Sequence, residues 1–171
     1  MNKKESSALK ASISWSYLSV LSTVVILACV IGINVQLLLL TSTAAKIGGL
    51  FVVDSVVLCF ALILPLRIVL TDTSIRVWRL IGYFEIPYIE VVAAESISPY
   101  ADLRIVGSYG LFGFLGIFRN EKFGWYYSLT CNMRKSFIIY TKSSKGYVFS
   151  TRNNDKVLAF IAEKTGSSIR Y

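Results

Sequence analysis

The side chains that carry most protein chemistry are scarce in this chain. Histidine is absent, which removes imidazole acid–base catalysis and imidazole metal ligation. Cys29, Cys59 and Cys131 stand far apart with no C-x-x-C pair, and a structural zinc centre asks for four Cys or His ligands. The serine and threonine hydroxyls have neither a histidine base nor a Ser-x-x-Lys partner, and no carboxylate pair sits at a readable spacing. The chain therefore reads as non-enzymatic, with no catalytic residue, no metal ligand and no cofactor assigned. Two polar side chains stand out by their surroundings, Asp54 and Asn34. Asp54 is the one acid inside a long apolar run, and an intramembrane carboxylate is costly enough to mark either function or pairing. Asn34 or Gln36 across a helical hairpin, or another protomer, can partner it. Its distance from Gly48, about 9 Å of helix rise, also lets it reach the outer interface.

The second unusual feature is a glycine-aromatic segment, GSYGLFGFLGIFRNEKFG over residues 107–124. Gly107, Gly110, Gly113 and Gly116 recur at a period of three, with Leu111, Phe112, Phe114, Leu115 and Phe118 among the residues between and after them. Such spacing disfavours a helix and favours bends and close backbone approach. It lacks G-x-G-x-x-G and no G-K-[ST] follows, so it is no nucleotide loop. Three roles fit it. Its aromatics complete the domain's own core, or the loop dips into a bilayer interface, or it docks another protein. In the membrane role Arg119 and Lys122 stand at headgroup level. Arg76 and Arg79 are the other candidate headgroup contacts, with a plain juxtamembrane charge bias as their alternative.

The elements that must position these residues begin with two apolar stretches. Residues 17–40 carry no charge, and residues 48–66 carry only Asp54. Each approaches the ~20 apolar residues that cross a bilayer core, and the short link between them makes a helical hairpin of two spans. Ser19, Ser22, Ala28, Gly32, Gly48, Gly49, Ser55 and Ala61 are small enough to let the two backbones approach. Lys3, Lys4 and Lys10 precede the first span, Lys46 alone lies in the link, and Arg67, Arg76 and Arg79 come after the second. The positive-inside rule then puts both termini in the cytoplasm. Ile26-Leu27-Ala28-Cys29 forms a loose lipobox, but the residues after Cys29 stay apolar where a mature lipoprotein turns polar. Cys29 and Cys59 otherwise read as small apolar membrane side chains.

Mean hydropathy is +0.59, with 54% hydrophobic and 16% charged residues, against ~25% charged in ordinary soluble domains. The average hides a division. Residues 67–171 hold fourteen Lys and Arg against eight Asp and Glu, so the basic excess belongs to the part beyond the spans. The expected organisation is a cytoplasmic tail over 1–16, a transmembrane hairpin over 17–66 and a cytoplasmic domain over 67–171. From Ile68 onward short β-rich runs replace helical periodicity. Residues 124–131, 136–141 and 147–151 read as two successive hairpins of an antiparallel meander. A final helix is capped by Asn153-Asn154-Asp155, buries Val157, Leu158, Phe160 and Ile161, and stops at Gly166.

The glycine run at 107–116, Phe118-Arg119-Asn120, Gly124 with its aromatics, the strand ending Thr141-Lys142 and the last helix together resemble the bacterial pleckstrin-homology (PH-like) domain family of small membrane proteins, over roughly residues 68–165. Tyr109 stands where that family often has another glycine, and Ser150-Thr151 where Ser-Pro is common. The resemblance implies a split β-barrel of about seven strands capped by a C-terminal helix, a bacterial inner-membrane location and no known catalytic activity. The expected role is protein–protein assembly at the membrane, with a protein partner or a second copy. The alternative is sensing of anionic lipid headgroups, and a further one an accessory subunit of a transporter or membrane enzyme that uses Asp54. Nucleic-acid binding fits the charge but no motif.

Overall fold

The computed structural model describes residues 9–40, 42–97, 103–121 and 124–166. A strand β1 (Leu9–Ser12) leads into helix α1 (Tyr17–Leu40), and α2 (Thr43–Ile63) returns. Then come β2 (Arg67–Leu70), β3 (Ser74–Trp78), β4 (Tyr83–Pro87), β5 (Val91–Ile97), β6 (Leu103–Gly110), β7 (Gly113–Asn120), β8 (Gly124–Thr130), β9 (Ser136–Thr141), β10 (Gly146–Phe149) and α3 (Asn154–Thr165).

Both long helices are long and apolar enough to cross a bilayer, and little of either is buried within the protein. Ser16 caps α1, its Oγ accepting from the Ser19 amide at 3.0 Å, which satisfies one of the orphan donors of the first turn. The helices pack as a tight hairpin. A Cβ on Gly49 would lie 2.9 Å from Leu37, whereas Gly32 and Gly48 face open space. Of these glycines only Gly49 has the close-approach role expected of it.

The β part is two sheets, one ordered β1-β2-β3-β4 and the other β5-β9-β10-β8-β7-β6. Their facing sides bury Ile68, Leu70, Ile75, Val77 and Ile86 against Phe137, Ile139 and Phe149, and α3 closes the cluster with Val157, Leu158 and Ile161. Each of these side chains contributes about 1.5–3 kcal/mol by leaving water. Phe114, Phe118, Tyr126, Ile138 and Val148 form a second cluster, on the opposite face of the longer sheet because they alternate with the first set along each strand. The sheets do not join into a closed barrel, in keeping with the split barrel expected.

Three features depart from the expectations. The described strands number ten rather than about seven. Residues 9–14 are not a free tail: β1 pairs antiparallel with β2, Ile13 bridges Thr151, and the Ser14 amide donates to Ser150 O at 3.1 Å. This strand is only four residues long and its burial does not alternate clearly, so periodicity had nothing to detect. The last three strands are not a simple meander either. β10 pairs antiparallel with β9 but inserts parallel beside β8. Gly146 permits that insertion, since a Cβ there would meet Tyr126 Cβ at 2.9 Å. The C-terminal helix meets expectation at its end, where Gly166 is left-handed and its amide donates to Ala162 O. At its start the cap is different: Asn154 Oδ1 accepts from the Thr151 amide and hydroxyl.

Candidate functional site

The glycine-aromatic segment is the β6–β7 hairpin. Gly107 pairs with Gly116 and Gly110 with Gly113, and Leu111-Phe112 forms the two-residue tip. A Cβ on Gly116 would lie 2.2 Å from the Val106 carbonyl oxygen, and one on Gly107 2.2 Å from that of Leu115. Those two strands approach so closely that only glycine fits at the crossing, and both residues also adopt positive φ. Gly113 is packed against the Thr130–Cys131 backbone, where a Cβ would lie 2.6 Å from the Thr130 carbonyl oxygen.

The tip rests on α1. Ser22 Oγ donates to Gly110 O at 3.0 Å, Thr23 Oγ1 donates to the carbonyls of Ser19 and Gly110 at 2.7 and 3.2 Å, and the Phe112 amide donates to Thr23 Oγ1 at 2.8 Å. Two helix hydroxyls thus satisfy the backbone groups of the turn, which would otherwise cost ~1–3 kcal/mol each when buried. A Cβ on Gly110 would sit 3.4 Å from Ser22 Cβ, so the absent side chain sets the contact distance. Ser22 therefore serves the β domain, not the expected approach of α2. The serine and threonine spacing along the start of α1 was the signal, but its partner lies 87 and 88 residues away in sequence.

Of the loop residues nominated for membrane or partner contact, Leu111, Phe114, Leu115 and Phe118 are buried and Phe112 is half-buried. The core role is the one their side chains fill. Exposure in this hairpin falls to Tyr109 and Val106 instead. Arg119 is six residues up β7 from Gly113, about 20 Å from the tip, and its guanidinium lies over Trp125. It does not share the tip's level. Lys122 lies outside the described residues.

Arg76 and Arg79 are on the β3–β4 hairpin. Arg76 pairs with Glu85 at 3.3 Å and lies over Tyr83. The Ser74 hydrogen bond, above all, holds the Glu85 carboxyl below its ordinary range; desolvation opposes it, and the Arg76 hydrogen bond and charge add to the lowering. Arg79 lies over Phe84, 5.3 Å from the ring centre. Arg67, not nominated, lies 4.8 Å over Trp78, directly across the β2–β3 pair. Trp78 and Tyr83 are also in ring contact at 5.0 Å.

Within the helical hairpin Asn34 Nδ2 donates to Asp54 Oδ1 at 3.0 Å. This is a cross-hairpin pairing of the kind the sequence allows. Asp54 lies eleven residues into α2, about 16 Å of helix rise from its start. Cys131 is fully buried beside the hairpin tip, and burial pushes its thiol up to about 12.

No curated protein and no solved structure matches the chain. The family model described as bacterial PH domain matches residues 66–165, which takes in the chain from the end of α2 to the last turn of α3. With its two-sheet split barrel, its C-terminal helix and that match over more than half its length, the chain belongs to the bacterial PH domain family.

Proposed function

We propose that α1 and α2 anchor the chain as a two-pass protein of a bacterial inner membrane, with both termini cytoplasmic, and that its PH-like domain is a non-catalytic assembly module at the membrane surface. The carrying observation is a row of apolar and aromatic side chains across the longer sheet. Val106, Ile117, Tyr127 and Tyr147 stand in register on β6, β7, β8 and β10. Trp125 and Arg119 form the next row, and Val106 and Trp125 are 64% and 53% exposed. Aromatic and arginine side chains at this exposure are the composition of protein interfaces.

Photocrosslinking in native membranes tests this reading. A photoreactive residue at Tyr127 of the full chain is expected to capture a discrete second protein or a second copy, and one at Glu163, exposed on α3, which packs against β5 at the opposite edge of the sheet, is not. Monomer alone at both positions overturns it.

The lipid-sensing reading keeps one observation in its favour, the Arg67–Trp78 and Arg79–Phe84 pairs beside the end of α2. Its test needs the full chain, because residues 68–171 alone lack β1 and Arg67, which belong to the sheet.

A further inference from the structure

The β3–β4 turn is placed by the chain path. α2 ends at Ile63, and the Leu66 amide donates to Trp78 O at 2.8 Å. β2 leaves the helix and β3 returns antiparallel to it, so the turn beyond Trp78 extends back toward the end of α2. It is a closed turn, with the Arg79 amide donating to Gly82 O at 3.0 Å and Gly82 at φ +73°. Its central residues, Leu80 and Ile81, are 59% and 71% exposed. Two adjacent branched aliphatics at the tip of a tight, polar-bonded turn contribute nothing to either core.

Trp78 and Tyr83 flank this tip, each with a guanidinium over its ring, from Arg67 and Arg76. Across the same end, Trp15 and Tyr17 are exposed where α1 begins. The start of α1 and the end of α2 lie side by side, because the helices are joined by a two-residue link and bonded through Asn34 and Asp54. Tryptophan, tyrosine and arginine around helix ends are the composition of a membrane–water interface, where amphipathic rings sit at headgroup level. Apolar side chains projecting beyond such a belt meet acyl chains.

We infer that the Leu80-Ile81 turn inserts into the headgroup–acyl boundary of the bilayer, a membrane contact of the β domain beside the two helices. The occupant is lipid, since the turn is continuous with the two apolar helices and ringed by cations that match anionic headgroups. This rests on the proposal that α1 and α2 span the membrane.

The test uses the full chain with Cys29→Ala and Cys59→Ala, reconstituted in vesicles of phosphatidylcholine and phosphatidylglycerol. A polarity-sensitive fluorophore is attached at Ile81→Cys, at Val56→Cys on the exposed side of α2, or at Lys145→Cys on the far turn. Leu80→Cys replaces Ile81→Cys if that variant fails to fold. Lipids with brominated acyl chains should quench positions 56 and 81 several-fold more than position 145. Quenching at 56 with position 81 no more quenched than 145 overturns the inserted turn and leaves the two spans standing. No quenching at 56 overturns the two-span reading and the turn with it.

Discussion

Two β-hairpins meet the helix end of this domain, and they use their apolar side chains in opposite ways. The β6–β7 hairpin is rich in glycine and phenylalanine, yet Leu111, Phe114, Leu115 and Phe118 are buried, and its tip is bonded to Ser22 and Thr23 of α1. The β3–β4 hairpin looks ordinary in sequence, yet leaves Leu80 and Ile81 uncovered. The difference lies in what each tip touches. Gly107, Gly113 and Gly116 let one hairpin close on its neighbours to backbone contact, so its large side chains fall inside. The other turn has a single glycine facing open space and, among the described residues, no helix hydroxyl bonded to it. Glycine content here reports close approach, not surface adhesion.

The sharpest way to break this comparison is Gly116→Val. The new side chain starts 2.2 Å from a carbonyl oxygen, and we expect a loss of about 3 kcal/mol or more, seen as failure to give a cooperative unfolding transition. Gly82→Ala, at positive φ but in open space, should cost only ~1 kcal/mol. Next in size is Thr23→Val, which strands the Phe112 amide and weakens the hold on Gly110. It should cost about 2 kcal/mol and speed hydrogen exchange at Phe112, with little change in exchange within β3 and β4.

Cys131, packed behind the closed hairpin, gives a pH-dependent probe. Burial raises its folded pKa from 9.0 to about 12, so its contribution to stability is complete below pH 9 and declines as pH rises toward 12. Each unit in that window should remove about 1.4 kcal/mol. Chemical denaturation from pH 8 to 10, below the range where the buried tyrosines Tyr88, Tyr140 and Tyr147 add the same trend, checks this, and Cys131→Ala should lessen the decline between pH 9 and 10. The smallest effect is expected on the open side. Ile81→Ala should change stability by less than about 0.5 kcal/mol in detergent, measured by the same denaturation. A loss several times larger would mean that the turn is packed, and the contrast between the hairpins would fail.

Much of this architecture was legible in the residues. The run over 17–40 is helical end to end as expected, because a charge-free stretch of that length satisfies its backbone only within itself. The final helix ends at Gly166 for the local reason expected, a left-handed cap. The Asn34–Asp54 bond follows from two polar side chains in otherwise apolar helices facing each other across a short link. The positions that sequence missed share one property: their signals are non-local. Ser22 and Thr23 look like small helix-packing residues until Gly110 arrives. β1 is too short to announce itself without β2, and nothing in Gly146-Tyr-Val-Phe149 says that it pairs parallel with β8.

The sequence by itself determined the two apolar helices, the β character of the domain beyond them, the last helix and the absence of imidazole chemistry. All of these depend on composition and on spacings within a few residues. Only the tertiary structure decided which hairpin hides its aromatics and which exposes its aliphatics. Exposure depends on neighbours brought from far along the chain, and one methyl-sized difference at Gly107 or Gly116 decides whether those neighbours can touch.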